Sequence, residues 1–180
     1  MKSLHTIQAD LSQNTADLSQ FLEKVDEKAA SQKPAPKAWS VVGILEHLLI
    51  VERSLAHLFQ GKTDPAQRDP EQQIAVIQQA FSRHDRQYDA AKMIFPQGEV
   101  QSVREGMERL IGVRAKLQAL LAEDNLHEVC TDFRHFAFGE MTRVEWIYFC
   151  ILHTERHMVQ MEKAIQAYQK REEADAQQET

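Results

Sequence analysis

Six glycines and five prolines are few for a chain of 180 residues. So little punctuation argues against the frequent tight turns of a β-sandwich or barrel, and in favour of long helices. The two cysteines, Cys130 and Cys150, make neither a C-x-x-C pair nor a disulfide framework. They read as reduced thiols, as expected of a cytoplasmic protein. No block of Lys or Arg stands out, and 21 basic against 27 acidic side chains leave a formal charge of −6. That balance predicts no nucleic-acid partner. No window approaches the ~20 apolar residues of a membrane span, and the opening MKSLHTIQADLSQN is amphipathic, so no membrane partner is expected.

What is present is the composition of a globular protein: 43% apolar and 27% charged residues, on a chain long enough to bury one core. A single domain over residues 1–171 is expected, followed by an acidic, frayed tail at 172–180, EEADAQQET.

Leu4, Ile7, Leu11, Leu18, Phe21, Leu22 and Val25 recur at three- and four-residue steps and predict one helix that ends before Pro34. After SQKPAPKAW, Ser40 is a good N-cap for a second helix to about Gln60, with Val41, Ile44, Leu45, Leu48, Leu55 and Leu58 as its seam and Gly61 as its stop. Asp69, Pro70 and Gln72 predict a helix start, with Ile74, Ile77, Phe81 and Tyr88 leading towards Phe95 and a break at Pro96 and Gly98. Ser102 with Glu105 opens a helix burying Met107, Leu110, Ile111, Leu117, Leu120 and Leu121. Residues 123–141 read as irregular. Thr142 with Glu145 then caps the last helix, which begins with Trp146, Phe149 and Cys150. No strand pair and no internal repeat is visible. The fold class is all-α, a helical bundle in which the helix at about 70–94 is additional to a four-helix core.

Of eight histidines, His153 and His157 stand four apart on the last helix and so share one face. Trp146, Phe149, Cys150, Met161, Ala164 and Tyr168 lie on that face too, so the two imidazoles interrupt a stripe directed at the core. A buried ring without a partner costs roughly 1–3 kcal/mol, and one metal ion would satisfy both. Hydrogen bonds to backbone carbonyls, or to Glu162 or Glu46, would do the same. HTERH is not the H-E-x-x-H of zinc proteases, because Thr154 fills the glutamate's position and Glu155 lies about 200° round the helix. His47, three residues after Ile44, faces inward on the second helix and is the candidate third ligand. Three imidazoles leave a coordination position open, as catalytic sites do, and suit zinc, nickel, copper and iron alike.

His135, before the FAFG turn, reads as a packed loop residue with a substrate contact as the alternative; His84 reads as partly exposed, and His5, His57 and His127 carry no pattern. Cys150, one turn before His153, reads as an inert buried thiol that could also approach a metal. Trp39, Trp146, Tyr148 and Phe149 read as core.

The order of these features resembles the DinB/YfiT-like superfamily of metalloenzymes. The likeness rests on Trp39 and Ser40, the histidine in ILEHLL, and the run HFAFGEMTRVEWIYFCILHTERHMVQMEKA with Gln160 after its H-x-x-x-H. It implies a four-helix bundle of up-down-down-up order with a long crossover, fitting residues 61–101, and a homodimer. It also implies one divalent ion, zinc or nickel foremost with iron or manganese possible, held by His47, His153 and His157. The implied chemistry is metal-dependent hydrolysis or transfer of a low-molecular-weight thiol to a small-molecule electrophile. The competing reading is a non-catalytic dimerisation or stress-response module whose metal is structural or absent.

Overall fold

Helix starts are set by side-chain oxygens that accept a backbone N–H from the first turn, and five helices begin in this way. The computed structural model describes residues 1–82, 92–122 and 124–178. Thr6 N–H donates to Ser3 Oγ, Ala29 N–H to Asp26 Oδ1, Gly43 N–H to Ser40 Oγ and Glu105 N–H to Ser102 Oγ, at 3.0–3.2 Å. These caps open α1 (Leu4–Leu22), α2 (Glu27–Ser31), α3 (Val41–Leu58) and α5 (Val103–Leu120). At α6 (Arg143–Gln178) the box is reciprocal: Glu145 N–H donates to Thr142 Oγ1, and Thr142 N–H to Glu145 Oε2.

The expected single first helix is therefore two, because Asp26 starts a new cap where continuity to Pro34 was anticipated. In α3 every predicted seam residue is buried. Gly61 does not act as a left-handed stop; among the described residues only Gly98 and Gly139 have positive φ. Its place is fixed by space, since a Cβ there would collide with the Asp132 carboxylate that accepts the Lys62 N–H. In α5 Met107, Leu110, Leu117 and Leu121 are buried as expected, whereas Ile111 turns to solvent and is 46% exposed. Helix α6 runs on to Gln178 through residues 172–178, where Lys28 Nζ meets Glu172 and Arg171 donates to the Lys33 carbonyl.

The crossover departs furthest from expectation. Two three-residue strands, β1 (Thr63–Pro65) and β2 (Glu128–Cys130), pair antiparallel with Thr63 opposite Cys130, Asp64 opposite Val129 and Pro65 opposite Glu128. Strands this short carry no readable period-2 pattern, which is why neither was expected. Helix α4 runs only from Gln72 to Phe81. Asp69 does not cap it by the predicted box, accepting instead from Glu71 N–H. The Gln73 N–H is taken by Glu145 of α6, 2.7 Å away, and Arg68 grips the same fully buried carboxylate through two 2.6 Å bonds. Tyr88 and His84 lie outside the described residues; a short 3-10 helix, Lys92–Ile94, follows them.

Helix α3 lies against α5 in step, with Leu45 at Gly106 and Glu52 at Arg114. Gly106 permits that approach, since a Cβ would stand 3.0 Å from Val100 and 3.2 Å from Leu45. Helix α6 packs on α1, α3 and α4. No helix among the described residues is long and apolar enough to cross a membrane.

Deep in this core sits a charged cluster that the sequence reading passed over. Arg114, 2% exposed, donates from Nε and Nη2 to Glu52, from Nη1 to Asn14 Oδ1 and Thr15 Oγ1, and from Nη2 to Thr154 Oγ1. Burial works against its charge, but the Glu52 carboxylate beside it more than offsets this and holds the guanidinium protonated. The visible signal was positional. Asn14, Glu52 and Arg114 each occupy a core step of an otherwise apolar helix face, between Leu11 and Leu18, Leu48 and Leu55, and Leu110 and Leu117.

A candidate metal centre

Helices α3 and α6 bring His47, His153 and His157 together, and one ring nitrogen from each lies within 4.8 Å of the other two. The α6 pair meets because a four-residue step stacks side chains one turn apart. His47 completes the group from the facing helix. His153 Nε2 is 3.4 Å from His47 Nε2 and 3.0 Å from His157 Nε2.

The outer nitrogens settle which lone pairs point inward. His47 Nδ1 lies 2.8 Å from the Ile94 carbonyl oxygen, which can only accept, so the proton resides on Nδ1 and the Nε2 lone pair is left facing His153. His157 Nδ1 stands likewise 2.9 Å from Gln160 Oε1. Two acceptor nitrogens thus converge on His153 Nε2, and one proton there cannot serve both. A cation can. Donors held 2.0–2.1 Å from a tetrahedral ion are about 3.3 Å apart, close to the 3.0 and 3.4 Å that separate His153 Nε2 from its two neighbours. The residues present therefore fit a divalent metal.

Burial lowers the His47 pKa, lowers that of His153 well below its ordinary value with help from His157 and His47, and pushes His157 down to about 3 with His47 adding to the effect. All three rings are neutral at pH 7, the form that binds metals. Aromatic side chains wall the group. Trp39 lies 4.8 Å from the His47 ring, and Phe149 and Phe81 lie 5.2 and 5.5 Å from that of His153.

The other candidates separate from this group. Cys150 is buried on the Glu52–Arg114 side, and burial raises its thiol pKa well above the ordinary value. His135 packs, as its preferred reading had it: its ring stacks on Phe136 and Phe138, and its Nδ1 accepts the N–H groups of Ala137 and Phe138. Burial pushes its pKa down to about 4. Glu155 is exposed, as its helical position implied. Glu46 also turns from the imidazoles but is buried, accepting the Gln97 and Gly98 N–H groups. His5 and His57 are exposed, and His127 Nε2 lies 3.7 Å from Glu71. Trp146, Tyr148 and Phe149 belong to the core.

Comparison with known proteins gives two findings. A family model described as the DinB superfamily matches residues 10–161. Over 144 residues the chain is 24% identical to the uncharacterized protein YuaE of Bacillus subtilis (strain 168), covering 79% of this chain and 86% of that one.

Proposed function

The chain belongs to the DinB superfamily, and from that premise we propose that it is a metal-dependent enzyme whose ligands are His47, His153 and His157. One observation carries the reading: two imidazole lone pairs, each fixed by a carbonyl partner on the far nitrogen, converge on a third ring at 3.0–3.4 Å. Zinc or nickel is the proposed ion, with iron or manganese next. When bound at an open three-histidine site, such an ion lowers the pKa of a coordinated water or thiol towards 7.

The protein's own contribution is orientation. Ile94 and Gln160 hold the outer nitrogens of His47 and His157, fixing tautomer and ring angle. Trp39 packs against the His47 ring, and Phe81 and Phe149 against that of His153, holding them in place. The buried carboxylates of α3 are already engaged, Glu46 by two backbone N–H groups and Glu52 by Arg114, so neither serves as a free general base. That favours a nucleophile formed at the ion, and hence thiol transfer to a small-molecule electrophile ahead of hydrolysis. The pairings of Leu45 with Gly106 and of Glu52 with Arg114 support the up-down-down-up order. A cytoplasmic homodimer completes the proposal.

Elemental analysis of protein purified without a histidine tag tests it. Wild type is expected to carry near-stoichiometric metal, and His153→Ala and His157→Ala to lose it while keeping their helicity. Equal and trivial metal in all three would end the reading. A screen of low-molecular-weight thiols against generic electrophiles, with and without zinc or nickel, then separates transfer from hydrolysis.

A further inference from the structure

The Arg114 cluster and the imidazole group are built on the same two helices. Glu52 follows His47 by five residues on α3, and Thr154 is next to His153 on α6. One guanidinium bonds both, with Glu52 oxygens 2.7–3.2 Å away and Thr154 Oγ1 at 2.7 Å. A second tie reaches α6 through Asn14, whose Oδ1 accepts from Arg114 Nη1 at 3.0 Å and whose Nδ2–H donates to the Ile151 carbonyl at 3.3 Å. Every N–H direction of the guanidinium is used. Because that group is planar and rigid, it fixes both the distance between α3 and α6 and their rotation about one turn from the imidazoles.

We propose that Arg114 is a positioning residue for the imidazole group, acting through Thr154 and Glu52 to hold His153 and His157 at ligand distance from His47. The inference rests on the metal reading above. Ligand distances are held within about 0.2 Å, so a small relaxation between the two helices is felt directly in affinity.

Cobalt(II) titration of metal-free protein, read by the visible bands of the bound ion, tests it. Thr154→Val keeps the side chain's shape and removes the acceptor on α6. Thr15→Val removes an acceptor from the same guanidinium but leaves the link between α3 and α6 intact. Thr154→Val is expected to bind cobalt about tenfold more weakly with shifted bands, Thr154→Ser to restore both, and Thr15→Val to stay within about twofold of wild type. Should Thr154→Val fail to fold by circular dichroism, Asn14→Ala carries the same expectation. Unchanged affinity in Thr154→Val, or an equal loss in Thr15→Val, overturns the proposal while wild type still binds cobalt. A wild type that takes up no cobalt removes the metal reading and this inference together.

Discussion

Two polar groups are buried within a few residues of each other on α3 and α6, and they resolve their burial in opposite ways. Around Arg114, donors and acceptors match: each N–H of the guanidinium meets an oxygen of Glu52, Asn14, Thr15 or Thr154. Around His153 they do not match, because two nitrogen lone pairs face a third nitrogen that can offer at most one proton. A closed group of this kind asks for nothing from outside and serves to fix helix against helix. An open one leaves converging lone pairs, a donor set that a divalent cation fits. The difference separates a structural polar core from a candidate binding site without reference to sequence likeness.

The largest effect expected from breaking this comparison is on the closed side. Glu52→Ala leaves Arg114 charged, buried and unpaired, and should cost about 3–5 kcal/mol of stability in denaturant unfolding. A loss below about 1 kcal/mol would mean that the cluster is open to water after all. On the other side, zinc at a hundred times its dissociation constant should stabilise wild type by about 2.7 kcal/mol and His153→Ala not at all, as melting with and without metal would show. Equal stabilisation of both would place the ion elsewhere.

Acid distinguishes the two groups next. In metal-free protein the folded His157 has its pKa pushed down to about 3, against an ordinary value of 6.5. Below pH 6.5 the unfolded chain takes up a proton that the folded one refuses, so stability is full above that pH and is lost as pH falls towards 3. The slope per imidazole approaches about 1.4 kcal/mol per pH unit, while Arg114 stays charged throughout and adds nothing. A flat stability profile between pH 6.5 and 4 would contradict the burial of the imidazoles. The smallest effect is on the outer partner of His157. Gln160→Leu removes the oxygen that orients its ring and should weaken metal binding about tenfold, equivalent to about 1.4 kcal/mol, with little change in metal-free stability.

Much of the bundle was legible one helix at a time. The seam of α3, the caps at Ser40, Ser102 and Thr142 and the His153/His157 face all follow from spacing within a single element, where three- and four-residue steps fix which side chains share a side. The same local logic failed where a distant group intervened. Asp69 lost the start of α4 to Glu145, 76 residues further along the chain, and Gly61 owes its place to Asp132. The strand pair β1–β2 was illegible because each strand is three residues long.

By itself, then, the sequence determined most of the positions that turn inward, Ile111 excepted: periodicity is a property of each helix and needs no partner. Tertiary structure alone decided which inward polar group meets which. Asn14, Glu52, Arg114 and Thr154 come from four different helices, and His47 is 106 residues from His153. Whether such groups cancel one another or leave lone pairs converging depends on distances between helices, set only once α3 and α6 pack against each other in the folded core.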